Sequence, residues 1–264
     1  MRCGVSTACL FPCETSQSLE QLVACGIPAV EIFFNTFGEM QPEYIEKLRA
    51  ILEDRTQVLA LHPCTSFMET FFFASDYPAR REEGMRLYRR WFEICSELSI
   101  PRIVFHGDHK ATPYPFEDYC RNYGELRRMA KEYGVDFCQE NVVRCKCGFP
   151  EYIRRMREVL DDDVSFVLDV KQMRRAQVPA DEMISAMQGR ISYLHLSDWT
   201  DDCDCTPPGT GRFDFDTLFA ELQRGGFDGD MVVELYRNGF ETVDQLETSR
   251  QWIERRFLNE RRGE

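Results

Sequence analysis

Histidine is scarce in this chain, with four residues in 264, so any histidine standing at the end of an apolar run calls for a reason. Long apolar runs are missing too. No window approaches the ~18 consecutive apolar residues of a membrane span, which excludes a helical membrane protein. The N-terminal stretch "MRCGVSTACLFP" carries one Arg and a short apolar patch broken by Pro12 and Cys13. It reads as a first strand, with no secretory signal behind it. No glycine-rich turn of the dinucleotide or P-loop kind follows that strand, which argues against a doubly wound nucleotide-binding sheet. Positive charge is also short, with 32 Lys and Arg against 45 Asp and Glu, a net charge of −13. Such a surface repels a phosphate backbone, so a general nucleic-acid binder is disfavoured, while a locally basic pocket stays open. No linker, low-complexity tract or composition break appears, and residues 1–264 are expected to form a single domain.

Cysteine is plentiful, at twelve residues. Most sit inside apolar runs, as Cys9, Cys25, Cys95 and Cys138 do, where Cys behaves as a small hydrophobe. Without an export signal they are expected to be reduced thiols of a cytoplasmic protein.

Buried parallel strands read as short, nearly continuous apolar runs, and amphipathic helices as apolar residues three or four apart. These rules give strands near 3–10, 27–34, 57–62, 102–106, 135–140, 164–169, 191–196 and 230–235. Helical patterns fall near 16–25, 41–53, 80–98, 116–133, 149–160, 180–187, 214–225 and 241–257. Pro101, Gly134 and Gly189 punctuate helix-to-strand joints. Strict alternation implies a parallel sheet with right-handed crossovers. Eight units over a length close to the roughly 250 residues of a (β/α)₈ TIM barrel predict that α/β fold. Two long strand-to-helix loops are expected, 63–79 and 197–213.

Active sites of such barrels stand at the C-terminal ends of the strands. There the sequence puts Glu31, His62, His106, Glu140, Asp169, His195 and Glu234, with His109 three residues beyond His106. Singly, each is read as a helix cap, a salt-bridge partner or a hydrogen-bonded structural residue, and Lys171, Arg144 and Arg237 are near enough in sequence to pair with the acids. Together, three carboxylates and an imidazole converging on one mouth repel each other unless protons or a cation compensate them. One divalent metal does so, and an O₃N donor set suits Mn²⁺, Mg²⁺, Co²⁺ or Zn²⁺.

These segments carry a resemblance. "VEIFF", "LHPCTSF", "VFHGDH", "CQENV", "LDVKQ", "LHLSDW", "PPGTGRFDF" and "VVELY" follow one another along the chain. In that order and spacing the chain resembles the xylose isomerase-like TIM barrel superfamily, which includes sugar isomerases and epimerases, inosose dehydratases and abasic-site endonucleases. The resemblance extends from about residue 4 to residue 240. For the single-metal ketose epimerase branch it implies a ligand set of Glu140, Asp169, His195 and Glu234, with Glu140 and Glu234 also exchanging a proton with the substrate from opposite faces. A metal that polarises a carbonyl acidifies the adjacent C–H, and a carboxylate within hydrogen-bonding reach can remove that proton. The partner implied is a small sugar or sugar phosphate. His62, His106, Lys171 and Gln172 would contact it, and "PPGTGR" with Arg212 would cradle a phosphate or form a plain turn.

Two departures stand out. Where the family reads Asp-x-x-His on strand six, this chain has Gln172, which can hydrogen-bond but not carry charge. Lys171 beside it either compensates or simply pairs with Asp169. The loop 197–213 holds no histidine, which removes ligands the endonuclease cluster needs and makes DNA repair a poor fit. An inosose dehydratase-like lyase and a sugar-binding barrel without turnover are the alternative readings. Cys145, Cys147, Cys203 and Cys205 are either free thiols or a structural zinc site. The aromatic loop 64–79 is read as a substrate lid, a homo-oligomer interface, or residues buried on the protein's own helix.

Overall fold

A computed structural model describes residues 1–53 and 55–262. The elements follow in the order β1 (Cys3–Ser6), α1 (Thr15–Ala24), β2 (Ala29–Phe33), α2 (Pro42–Leu52) and β3 (Gln57–His62). Next come α3 (Glu69–Phe73), α4 (Pro78–Glu97), β4 (Arg102–Phe105), α5 (Phe116–Glu132), β5 (Asp136–Glu140) and α6 (Pro150–Val159). The chain continues through β6 (Ser165–Asp169), α7 (Val170–Arg175), α8 (Ala180–Met187), β7 (Ile191–Leu196), α9 (Phe215–Arg224), β8 (Asp230–Val233) and α10 (Val243–Arg262). All neighbouring strands pair in parallel, and β8 closes on β1 to complete a (β/α)₈ barrel. No helix among the described residues is long and apolar enough to cross a membrane.

The expected first strand overran. Pairing stops at Ser6, and Thr7–Leu10 form a 3₁₀ turn whose buried Cys9 and Leu10 continue the apolar pattern. Helices α3 and α7 were not anticipated, being 5 and 6 residues long and too short to show a 3.6-residue period.

One register fact builds the site. Side chains alternate across a strand, so residues two apart share a face. Inside the barrel lies a dry layer containing Ala29, Ala60, Val104, Cys138, Val167, Tyr193 and Val232. Two residues further along each of these strands come Glu31, His62, His106, Glu140, Asp169, His195 and Glu234. The polar layer therefore lies directly above the apolar plug, at the C-terminal mouth. At the opposite end Arg102 pairs with Asp230 at 3.0 Å and lies over the Tyr193 ring at 5.0 Å, closing the bottom.

Outside the barrel the helices pack through aromatic residues. Tyr88, Phe92, Phe105 and Phe137 form one edge-to-face network, and Tyr123 joins it at tilted angles. The Tyr123 hydroxyl donates to the Phe137 carbonyl at 2.6 Å, so its polar end is satisfied while buried.

Candidate metal centre

His195 is at the middle of the cluster. Its Nε2 stands 3.0 Å from Glu31 Oε2, and Ser6 Oγ holds the other Glu31 oxygen at 3.0 Å. With Nε2–H given to Glu31, the Nδ1 lone pair faces inward. It stands 3.5 Å from Glu234 Oε2, 3.7 Å from Glu140 Oε1 and 3.9 Å from Asp169 Oδ2. A carboxylate behind a histidine in this way fixes the tautomer and the ring of a metal-binding imidazole.

His195 Nδ1 and Asp169 Oδ2 are buried without a hydrogen-bond partner, the nearest cation to Asp169 Oδ2 being Lys171 Nζ at 3.4 Å. Glu140, Asp169 and His195 offer ligand atoms within 4.8 Å of one another, as do Glu31, His195 and Glu234, and His62, His106 and Glu140. Buried polar atoms left unpaired are costly. Two of them converge beside Glu140 Oε1 and Glu234 Oε2, an arrangement that a divalent cation fits, and the donor chemistry is that of the O₃N set.

The surrounding charges act in opposite directions. Burial alone would push His195 down, but Glu31 and Glu234 outweigh it and hold the imidazolium well above its ordinary value. Burial raises Asp169, Lys171 opposes, and Glu140 and Glu234 add to the rise, leaving it at about 6. Burial also raises Glu140, yet contacts from His106, His195 and His62 keep it well below the usual carboxylate range. Glu234 is likewise held low, because Lys171 and His195 overcome its burial.

Lys171 is nearly buried, with Nζ 3.0 Å from Glu234 Oε2 and 3.4 Å from Asp169 Oδ2. Both pairings raise it against the cost of burial. The pairing with Asp169 considered from sequence is thus present, and a second partner, Glu234, comes with it. One ammonium answers one of three carboxylates, so room for further positive charge remains. In the metal-free protein a proton on His195 fills that need. Uptake of a divalent ion at this cluster would then displace protons from Asp169 and His195. Affinity is expected to fall as pH drops through about 6, by about tenfold per unit for each proton displaced. Isothermal titration in buffers of different ionisation enthalpy counts those protons.

His62 and His106 stand together, Nε2 to Nε2 at 2.9 Å, with His106 Nε2 also 2.9 Å from Glu140 Oε2. Arg144 Nη2 donates to His106 Nδ1 at 3.0 Å, which leaves Nε2–H aimed at Glu140. Glu69, the first residue of α3, accepts the His106 and Gly107 N–H groups at 2.8 and 2.6 Å. Gly107 has φ +86, and a Cβ there would strike the Tyr119 hydroxyl, so only glycine lets β4 turn here. Asp169 caps α7 by accepting the Gln172 N–H at 2.9 Å, and Asn141 accepts its backbone N–H at 2.7 Å. Gln172 spends its Oε1 on the Val143 N–H at 3.2 Å, leaving its amide NH₂ as the donor available to a ligand.

A cavity of about 540 Å³ opens over the cluster, lined by His62, His106, Glu140, Lys171, Gln172 and Glu234, with Arg144, Phe11, Phe67 and Tyr236 at its sides. Asp169 and His195 are not in its lining and lie at 1% exposure.

Several expectations need correction. Arg212 does not stand at the mouth; it is exposed and paired with Asp201 at 2.6 Å. The "PPGTGR" backbone cannot cradle a phosphate, because Asp198 already accepts the N–H groups of Gly209, Gly211 and Phe213 at 2.8–3.1 Å. The four loop cysteines do not gather around a common point. Cys145 faces the Gly107 carbonyl, Cys147 the Met156 sulfur, Cys203 the Cys205 carbonyl and Cys205 the Glu234 carbonyl. The aromatic loop divides: Phe72 and Phe73 are buried in the core, whereas Phe67, Phe71 and Tyr77 are exposed.

Glu31 and Ser6 were missed as the pair that orients His195, and Glu69 as the anchor of His106. Glu31→Gln should lower metal affinity by about 10- to 100-fold. Competition against a fluorescent chelator measures this, with unchanged affinity counting against the orienting role.

The fold and this cluster together define a (β/α)₈ barrel with an acid–imidazole centre at the face where such barrels carry their active sites. A family model described as "Xylose isomerase-like TIM barrel" matches residues 19–256, and the chain belongs to that family. Among curated relatives, the inosose dehydratase of Yersinia enterocolitica serotype O:8 / biotype 1B is 22% identical over 251 residues, 83% of this chain and 81% of that one. The structure of D-psicose 3-epimerase with D-tagatose from Clostridium cellulolyticum H10 superposes with a TM-score of 0.79 at 16% identity, covering 98% of this chain and 99% of that one. The IolI protein with a bound zinc atom superposes at 0.76 with 21% identity, over 95% of this chain and 96% of that one.

Proposed function

We propose that the protein is a metal-dependent sugar or sugar-phosphate isomerase or epimerase that moves a proton on a carbon beside a carbonyl. One observation carries the reading. Of the four proposed ligands, Glu140 and Glu234 line the cavity, whereas Asp169 and His195 are buried beneath it. A division into two groups that only hold and two that also face the substrate is what proton transfer at a metal-bound carbonyl requires.

Glu140, Asp169, His195 through Nδ1 and Glu234 would hold one divalent ion, Mn²⁺, Mg²⁺, Co²⁺ or Zn²⁺. When bound, such an ion supplies Lewis-acid polarisation of the carbonyl and its neighbouring hydroxyl. Glu140 then takes the proton from one side of the carbon and Glu234 returns one to the other. The Arg144–His106 contact aims an N–H at Glu140 and so orients it. His62, His106, Lys171 and the Gln172 amide supply donors along the cavity wall for the remaining substrate oxygens. The epimerase and the zinc-bound neighbour among the similar structures are consistent with this chemistry.

The inosose dehydratase relative favours a second reading, loss of water from a cyclic polyol ketone at the same site. Incubation with candidate ketoses in D₂O, followed by mass spectrometry, separates the two. Isomerisation or epimerisation adds solvent deuterium and keeps the sugar's atoms otherwise intact, whereas dehydration removes one water. Ligand that binds and never takes up deuterium would instead favour a barrel that holds sugar without turnover.

A further inference from the structure

We infer that Arg144 anchors an anionic group of the ligand, so that the natural substrate is a phosphorylated or carboxylated sugar and not a neutral one. This deepens the isomerase or epimerase reading and rests on it for the sugar.

The cations around the mouth are mostly paired. Lys171 is taken by Glu234 and Asp169, Lys146 by Asp108 at 2.6 Å, and Arg174 and Arg175 both by Asp204. Arg144 differs. It is half-buried in the cavity wall, its guanidinium lies 4.9 Å over the Phe67 ring, and one N–H goes to His106 Nδ1. No carboxylate among the described residues stands within ion-pair distance of it, in a chain carrying 45 acidic residues.

A guanidinium has five N–H donors in a planar fork that matches an oxyanion. One is spent on His106 Nδ1, which together with the ring above it holds the fork in place. Holding a charged group before the ligand arrives removes part of the ordering cost of binding. The cavity, about 540 Å³, is within the range of small-molecule sites and wide enough for a sugar and one charged substituent. With Arg212 turned to solvent and the "PPGTGR" amides given to Asp198, Arg144 is the cavity-lining Lys or Arg that has no carboxylate partner among the described residues.

The test is calorimetric titration of metal-free protein with D-fructose, D-fructose 6-phosphate and D-fructuronate, in the natural chain, Arg144→Met and Arg144→Lys. At least one charged ligand should bind about 10- to 100-fold tighter than D-fructose. Arg144→Met should remove that advantage, and Arg144→Lys should keep part of it. Preference for the phosphate or the carboxylate identifies the source of the anion. Inorganic phosphate should displace a preferred sugar phosphate from the natural chain, a measurement that stands even where a variant fails to fold.

Equal affinity for neutral and charged ligands would overturn the inference, as would an advantage that survives Arg144→Met or no binding of any of the three. A residue that merely positions His106 would weaken D-fructose and the charged ligands alike in Arg144→Met, and that result also counts against it. Deuterium uptake is measured separately on metal-loaded protein. Its absence would remove the enzymatic reading while leaving the calorimetric result intact.

Discussion

Glu140→Gln is expected to slow solvent-deuterium exchange into substrate by about 10³- to 10⁴-fold, at the upper end of what a positioned acid–base group contributes. The glutamine keeps the shape of the side chain and still accepts the His106 N–H, so the barrel should fold. What it loses is the negative charge that would accept a proton and one of the proposed metal ligands. Metal content measured on the same sample separates these losses. Full metal occupancy with exchange abolished assigns proton transfer to Glu140, whereas low occupancy assigns the loss to ligation. Glu234→Gln should have an effect of similar size, and it also leaves Lys171 with Asp169 alone. Exchange within tenfold of the natural chain in either variant would remove that glutamate from the mechanism.

Removal of the proposed metal is expected to give the second large effect. Polarisation of a carbonyl by a bound cation is worth several kcal/mol, so dialysis against chelator should lower activity by roughly 10²- to 10³-fold, and a divalent ion should restore it. The same ion should stabilise the fold. At a free concentration one hundred times its dissociation constant it contributes about 2.7 kcal/mol, visible as a rise in Tm. Activity that persists in excess chelator would leave the buried cluster without its proposed role.

The barrel was legible because its strands are buried on both faces and so read as apolar runs that stop at a charge. The strand ends named Glu140, His195 and Glu234, and the structure shows the period-2 rule setting them above Cys138, Tyr193 and Val232. What stayed hidden depends on contacts distant in sequence. Glu31 was visible at the end of its strand, but its partner His195 lies 164 residues away, so its role as orienting carboxylate could not be read. Glu69 looked like one polar residue in an aromatic loop, and nothing local announces that it holds the turn after β4. Arg212 misled for the converse reason. The glycine-rich run before it resembles an anion cradle, yet Asp198, eleven residues before Gly209, had already taken those amides.

Lys171 is the residue on which the account most depends. Its ammonium lies beside the oxygens of Asp169 and Glu234 that face His195, so either it shares the centre with a divalent ion or it replaces one. A crystal grown with Mn²⁺ or Zn²⁺ and measured at that element's absorption edge decides between these. The expected result is a single anomalous peak bounded by Glu140, Asp169, His195 Nδ1 and Glu234, at roughly 2.0–2.2 Å from the zinc ligands. A peak elsewhere, or none while Lys171 keeps both carboxylates, would contradict it.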